Sequence, residues 1–266
     1  MVNEARRRFR SSLALDLAGL KLRLSLSVGL IVIWVLFMIS IPIQRWLWGE
    51  ATVIRAAELG VLLQAAAVSA WMAQVWGARG ALGLAAGVIV GAWAIEWLGV
   101  TTGAPFGAYS YSDRLQPQVA GVPLMIPLAW LMMLPPSWAV AARILGNRRP
   151  AWAIALIGAL AFTAWDLFLD PQMVRWGLWT WTTPGGYFGV PWTNFLGWFA
   201  SAAALTLVLR PQPVASRGLL AIYMLTWWLE SIALLFFWGL PGPAAAGCLL
   251  MGGGAFLAWR GSERAH

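Results

Sequence analysis

The stretch AWAIALIGALAFTAWDLFLD (residues 151–170) is 20 residues long, and its only charged side chains are Asp166 and Asp170. A transmembrane α-helix needs about 20 predominantly apolar residues, so this stretch predicts a membrane-spanning helix. The two aspartates lie four residues apart, which places both carboxyl groups on one face of that helix. A charged side chain near the bilayer centre costs about 2.5–3.5 kcal/mol on insertion scales, so acids inside a span are functional candidates.

Similar apolar runs recur along the whole chain. The 266-residue sequence is 61% hydrophobic and 11% charged, whereas a soluble domain carries about 25% charged residues. The composition therefore predicts one all-α, polytopic integral membrane domain over residues 1–266. Eight membrane-spanning helices are expected, at residues 24–44, 53–76, 81–101, 121–145, 151–170, 190–210, 218–239 and 243–260.

The distribution of Lys and Arg predicts the orientation of these helices. Four arginines fall on one face of the eight-helix topology, and the other 14 of the 18 Lys and Arg residues fall on the opposite face. Cytoplasmic loops are enriched in Lys and Arg, so both termini are expected in the cytoplasm. Residues 1–23 are expected to form a basic cytosolic segment of a multi-pass protein of the cell membrane. The four outer arginines are Arg45, Arg55, Arg114 and Arg175.

Charge and cysteine usage argue against several classes of function. The basic residues that give the net charge of +8 separate apolar runs. They do not form a stripe on a soluble face, so no nucleic-acid partner is expected. The single cysteine, Cys248, excludes an internal disulfide and a multi-cysteine metal site. The single histidine, His266, is the last residue of the sequence. We therefore expect no metal site and no cofactor.

Two predicted outer loops are long, aromatic and rich in Gly and Pro: residues 101–121 and 171–189. Long loops in compact proteins tend to be functional, and these two are expected to be re-entrant and to form partial lids. An acid precedes each loop, at Glu96 and Asp166. Gly-x-aromatic-x-aromatic follows it, and then Gly-Val-Pro, whose proline is expected in the first turn of the next helix. The shared order predicts two parallel internal repeats, at residues 96–130 and 166–198.

Five of the ten acidic residues are expected in the outer halves of the spans: Glu58, Glu96, Asp166, Asp170 and Glu230. Asp166 and Asp170 would repel each other if both were ionised in a low dielectric, so one should hold a proton at neutral pH, as a general acid must. Asp170 precedes Pro171, and ending the helix is the alternative role for it. An ion pair with Arg55 is expected for Glu58. The catalytic candidates are therefore Asp166, Asp170, Glu96 and Glu230.

Aromatic residues cluster near these acids. The 20 tryptophans would form interfacial belts in any membrane protein, but a belt does not require a cluster beside buried acids. Aromatic faces stabilise cations, so acids beside such rings indicate protonation of an apolar alkene to a carbocation. The candidate substrate-binding residues are Phe106, Tyr109, Tyr111, Trp130, Trp179, Trp181, Tyr187 and Asn194.

Four strings of the sequence resemble the CruF-type membrane carotenoid hydratases, a family that includes γ-carotene hydratase and bisanhydrobacterioruberin hydratase. The strings are EWLGVTTGAPFGAYSYSD (96–113), GVPLMIPLAW (121–130), DLFLDPQMVRWGLWTW (166–181) and GGYFGVPWTNFLGW (185–198). The resemblance covers about residues 90–235. It implies cofactor-independent, hydro-lyase-type addition of water to the terminal double bond of a carotenoid ψ-end, which gives a tertiary alcohol.

The resemblance also implies the partners and the course of the reaction. The substrate would be γ-carotene, lycopene or a related carotenoid, in contact with membrane lipid and with other enzymes of the carotenoid pathway. We expect Asp166 or Asp170 to protonate the double bond, and the rings of residues 109, 111, 179 and 181 to hold the cation. Water then attacks with Glu96 or Glu230 as base, and Asn194 orients that water.

Three other functions are weighed against this one. A looser resemblance, in the acid-bearing helices and the repeated layout, is to the small membrane lycopene β-cyclases, but their Pro-Glu-Glu signature is absent. A UbiA-type prenyltransferase needs Mg²⁺ and two Asp-rich loops, whereas this chain has one DxxxD. For a lipid-binding or transport protein, no buried basic residue would anchor an anionic ligand.

Overall fold

The fold is a bundle of long apolar helices. The computed structural model describes residues 26–146 and 150–263, so the predicted basic segment at residues 1–23 lies outside the described residues. Within them, seven helices are long and apolar enough to cross a membrane, which confirms the predicted all-α, polytopic bundle. They are α1 (Leu26–Trp48), α2 (Ala51–Thr102), α3 (Met125–Leu145), α4 (Ala151–Arg175), α5 (Trp192–Leu209), α6 (Arg217–Ile232, continued by the π-helix Ala233–Phe237) and α7 (Pro241–Glu263).

Helix α2 accounts for two of the eight predicted spans. Gly77 interrupts it with φ 71° and ψ 166°, which are not helical values and which glycine adopts readily. Glu58, near its start, and Glu96, near its end, line the same cavity. A straight helix would separate these two residues by roughly 50 Å or more, at about 1.5 Å per residue. The chain therefore reverses at Gly77, and the predicted spans 53–76 and 81–101 are two arms of one hairpin.

Helices α3 and α4 form the centre of the bundle. Helix α3 is the most deeply buried and α4 the next, although α3 contains Pro135 and Pro136. The outer helices present large apolar side chains outwards, among them Leu196 and Val208, as expected for helices that contact lipid. Helix α4 also continues through Pro171 to Arg175. The alternative that Asp170 ends this helix is therefore wrong.

The long loops contain short antiparallel strands. They are β1 (Tyr109–Tyr111), β2 (Gln118–Val119), β3 (Val122–Pro123) and β4 (Trp179–Trp181). Strand β1 pairs with β4, so that residue 109 lies opposite 181 and residue 111 opposite 179. The two Gly-x-aromatic-x-aromatic motifs of the sequence are therefore hydrogen-bonded to each other, and the two loops form one structure.

The two loops also end in matching hairpins. In the first, β2 pairs with β3 through a turn at Ala120 and Gly121, whose φ values are 53° and 81°. In the second, residue 187 pairs with residue 190 around Phe188 and Gly189, whose φ values are 50° and 89°. Positive φ at both central residues is typical of a type I′ hairpin turn. The repeat at 96–130 and 166–198 stays a prediction, and these matched turns favour it.

The prolines that follow these turns occupy positions different from those predicted. Pro123 lies in β3, two residues before α3 begins, and Pro191 is the N-cap of α5. Both prolines therefore stand just before their helices and not in the first turn. Pro123 is held in the hairpin strand β3, and Pro191 directly follows Val190, which is bridged to Tyr187.

Three of the four predicted outer arginines bind backbone carbonyls near the long loops. Arg114 donates to the Trp176 carbonyl oxygen at 2.9 Å, and Arg175 donates to that of Gly239 at 3.3 Å. Arg45 donates to the Phe237 carbonyl oxygen at 3.0 Å. These arginines therefore lie at the loop end of the bundle. That this end faces away from the cytoplasm stays a prediction.

The predicted orientation can be tested with reporters that are active only in the cytoplasm. Fusions after Arg149 or Arg217 should be active, and fusions after Arg114 or Tyr187 should be inactive, because Lys and Arg concentrate on the cytoplasmic side. Activity of all fusions would indicate misfolded chains, so membrane insertion is checked by extraction. The reverse pattern would overturn the orientation.

Candidate active site

A cavity of about 90 Å³ lies beneath the paired loops. Both arms of α2 contribute to its lining, together with α3, α4, α5 and the strands β1 and β4. Most lining residues are apolar or aromatic, and the polar exceptions are acids and one amide. The polar and aromatic lining residues are Glu58, Glu96, Asp170, Asn194, Phe106, Tyr109, Tyr111, Trp179, Trp181 and Trp198.

Three ring donors surround the carboxyl group of Glu96, which is 2% exposed. Tyr109 Oη donates to Oε2 at 2.6 Å and Tyr111 Oη donates to the same oxygen at 2.7 Å. Trp130 Nε1 donates to Oε1 at 3.0 Å. Burial raises the pKa of both tyrosine hydroxyls, so both keep their protons. Gly99 makes room for this arrangement, because a Cβ there would lie 2.9 Å from the Tyr109 hydroxyl.

Asn194, in the first turn of α5, joins the two aspartates of α4. Its Nδ2 donates to Asp166 Oδ2 at 3.0 Å and also to Asp170 Oδ2. Trp179 Nε1 donates to Asp170 Oδ1 at 3.1 Å. Among the described residues, the buried Asp166 Oδ1 has no hydrogen-bond partner. Asp170 lines the cavity, whereas the fully buried Asp166 lies outside its lining.

The aromatic face of the cavity is built by the strand pair. Successive side chains of a strand point to opposite faces, so residues two apart lie on one side. Tyr109, Tyr111, Trp179 and Trp181 all line the cavity, while residues 110 and 180 between them are exposed. The Tyr111 and Trp179 rings meet edge to face, with their centroids 5.7 Å apart. The alternation places four rings against the space beside the carboxyl groups.

One lining residue, Trp198, is absent from the sequence-based candidates. It stacks on Trp130, with ring centroids 5.1 Å apart and planes inclined by 20°. Both rings also contact Phe162, at 4.9 Å and 5.0 Å. A signal for Trp198 was present in the sequence, because each of the two tryptophans stands seven residues after the proline of a Gly-Val-Pro motif.

Two of the predicted substrate-binding residues are not part of the lining. Trp130 is fully buried and acts on the site through its hydrogen bond to Glu96. Tyr187 donates to the Leu167 carbonyl oxygen at 3.0 Å and packs against Phe195. The structure thus brings six of the eight predicted binding residues to the cavity.

The two remaining acids are placed differently from Glu96 and Asp170. Glu58 lines the cavity, but the predicted ion pair with Arg55 is not formed. Within the described part of the chain, Arg45 forms an ion pair with Glu50. Glu230 lies outside this cavity and lines a neighbouring one. The sequence predicted that all five acids lie in the outer halves of their spans, but it could not assign them to separate cavities.

The fold and the site define a polytopic membrane protein in which an apolar, aromatic cavity contains buried carboxyl groups. A family model described as "Carotenoid biosynthesis protein" matches residues 57–253, which is well over half of the chain. The chain therefore belongs to this family of carotenoid-biosynthesis proteins.

A curated relative and the solved structures add to this comparison. The chain is 34% identical over 116 residues to bisanhydrobacterioruberin hydratase of Haloarcula japonica. The aligned part covers 43% of this chain and 39% of the relative, so it spans less than half of either protein. No solved structure matches the chain.

The tyrosine donors around Glu96 should contribute more to stability than an ordinary buried hydroxyl. A hydrogen bond to a charged group contributes about 1.5–3 kcal/mol, compared with about 1 kcal/mol for a neutral one. Tyr109→Phe should therefore lower the free energy of unfolding more than Tyr223→Phe, which removes a bond to the Ala161 carbonyl oxygen. Unfolding in detergent, followed by tryptophan fluorescence, measures both.

A double-mutant cycle isolates the contact. In a Glu96→Gln background, the cost of Tyr109→Phe should fall towards that of Tyr223→Phe, because the partner is then neutral. Equal costs for Tyr109→Phe in both backgrounds would show that the carboxyl group is not the source of the effect.

Proposed function

We propose that the protein is a carotenoid hydratase that adds water to the terminal ψ-end double bond of an acyclic or monocyclic carotenoid of the γ-carotene type. The observation that carries the proposal is that Asp170 and Glu96 open into one cavity faced by four aromatic rings. Membership of a carotenoid-biosynthesis family supports the substrate class. The similarity to bisanhydrobacterioruberin hydratase supports the reaction.

Asp170 is the proposed proton donor. It lines the cavity, and Asn194 connects it to the second carboxyl group of Asp166. Two carboxylates this close in a low dielectric cannot both ionise at low cost, so the pair retains a proton. Transfer of that proton to the less substituted alkene carbon leaves a tertiary carbocation at the other carbon. Asp166 acts as the second member of the pair, because it does not face the cavity.

The aromatic rings are proposed to stabilise this cation. A cation within about 6 Å of a ring centroid is stabilised by about 0.5–2 kcal/mol, with the larger values in desolvated sites. Residues 109, 111, 179 and 181 present such rings in a buried cavity. Their combined effect favours the charged intermediate in an otherwise apolar space.

Glu96 is the proposed base for the attacking water. The water oxygen bonds to the cationic carbon, one of its protons passes to Glu96, and a tertiary alcohol results. Asn194 is proposed to orient this water. Its two amide hydrogens are directed to the two aspartates, which leaves its Oδ1 as an acceptor. Glu230 faces a different cavity, so it is not the proposed base.

Expression in a host that accumulates γ-carotene or lycopene tests the proposal. A new pigment whose mass exceeds that of the substrate by one water is the expected product. A new pigment of unchanged mass would support cyclisation, the alternative fate of the same cation. The absence of any new pigment, with the protein present in the membrane, would contradict both activities.

Replacing the membrane aspartates by the isosteric Asn should abolish acid catalysis while preserving shape. General acid–base catalysis contributes on the order of 10²–10⁴-fold, and Asp170→Asn should lower hydration by that order. Asp166→Asn should have the smaller effect, because this residue does not line the cavity. Asp113→Asn, in the exposed part of the first loop, is the control. Normal turnover by both membrane variants would make the pair structural and leave Glu96 as the leading candidate for the acid.

Hydration should persist in EDTA and need no nucleotide. In the described ranges, no group of three His, Cys, Asp or Glu side chains is placed to hold a metal ion. The assay compares membranes that have been treated with chelator and washed with untreated membranes. Activity lost on chelation and restored by Mg²⁺ would contradict the proposed mechanism and favour prenyl transfer.

A further inference from the structure

A second cavity, of about 100 Å³, adjoins the first at the loop end of the bundle. Its lining is mostly apolar, but three helices each direct a polar side chain to it. Gln64 comes from α2, Gln172 from α4 and Glu230 from α6. The proposed chemistry uses none of these three residues. Burying a polar group without a hydrogen-bond partner costs free energy. The convergence of three such groups on one cavity therefore favours a bound polar molecule.

The polar groups of this cavity have bonding capacity to spare. Gln172 is 5% exposed, and no hydrogen bond of its side chain to another described residue is present. The same holds for the carboxyl group of Glu230, which is partly buried. Gln64 Nε2 donates to Thr226 Oγ1 at 2.9 Å, which leaves Gln64 Oε1 as an acceptor. Together they offer both donors and acceptors to a bound molecule.

The size and chemistry of this cavity fit water. A water molecule needs about 10–15 Å³ of such space and two to four polar partners, so the cavity has room for several. No basic residue lines it, which gives an anionic ligand no counter-charge. An apolar ligand would leave the amide of Gln172 and the carboxyl group of Glu230 without partners.

A thin layer of side chains separates the two cavities. Five residues line both of them: Ala57, Val61, Met132, Leu169 and Met173. All are apolar, and the two methionines are unbranched and can adopt several rotamers with little strain. A water molecule in the second cavity is therefore one side-chain layer from the space between Glu96 and Asp170.

We infer that the Glu230 cavity is a water-binding site that supplies the reacting water to the Glu96–Asp170 cavity. The inference rests on the proposed hydratase activity, which consumes one water in each turnover. When no water reaches the tertiary cation, the cation loses a proton from an adjacent carbon and returns to an alkene. Supply of water thus decides between hydration and a futile protonation.

The two outcomes can be counted in D₂O with membranes that contain the full-length protein and an extracted acyclic carotenoid. A futile protonation leaves deuterium in the recovered alkene whenever the cation loses a hydrogen other than the deuteron that it gained. Each productive protonation gives the hydrated pigment, so mass spectrometry measures both products. Gln172→Leu and Glu230→Leu should each lower the ratio of hydration to deuterium exchange by roughly tenfold, the effect of losing one buried hydrogen bond. The sum of the two products should stay near that of the unmodified protein.

Thr163→Val is the matched control, because it removes a hydroxyl from α4 that lines neither of these two cavities. Glu230→Gln keeps a polar side chain and should lower the ratio less than Glu230→Leu. Equal effects of Gln and Leu at position 230 would instead indicate a catalytic base and overturn the inference. A fall of hydration and deuterium exchange by the same factor would also overturn the inference. A ratio of hydration to exchange that is unchanged in both leucine variants would overturn it too. A wild-type protein that gives neither product would contradict the proposed function itself.

Discussion

The arrangement of the bundle depends on hydrogen bonds to carboxyl groups buried among apolar helices. An unpaired charge near the bilayer centre costs about 2.5–3.5 kcal/mol, whereas each hydrogen bond to a charged group contributes about 1.5–3 kcal/mol. Glu96 has three such bonds, from Tyr109, Tyr111 and Trp130. These three bonds therefore offset part of the cost of burying the carboxyl group of Glu96. Two of them come from a loop, so the stability of the acid and the folding of that loop are linked.

The same constraint explains why the two long loops pair. Trp179, from the second loop, donates to Asp170, and Tyr109, from the first, donates to Glu96. Pairing of β1 with β4 fixes both donors in one short ladder. A shift of one strand by one residue would turn its two rings to the opposite face and remove the donors that this strand supplies to Glu96 or to Asp170. The ladder thus holds the carboxyl groups and the aromatic face in a single geometry.

The sequence could predict the helices because each span needs only a local run of apolar residues. Acids in such runs and aromatic clusters beside them are unusual, so the sequence also singled out Glu96, Asp170 and the loop rings, which the structure places around one cavity. It could not tell Asp170 from Asp166, because residues four apart share a helix face and only the packing of α5 decides which one meets the cavity. The sequence also could not predict that Glu230 lines a separate cavity, because cavities arise from packing between residues that are distant in the chain.

In the proposed mechanism, each turnover moves one proton from Asp170 to Glu96. Glu96 and Asp170 line one cavity, yet within the described part of the chain no hydrogen bond joins them. A direct bond would let the proton pass between them without reaction, whereas separation across the cavity routes it through the alkene and the attacking water. After each turnover Asp170 lacks a proton and Glu96 has gained one. The site can act again only when that proton returns, and a chain of water molecules is the usual carrier over such a distance. Water near these acids would therefore serve both as reactant and as the route by which the acid is restored.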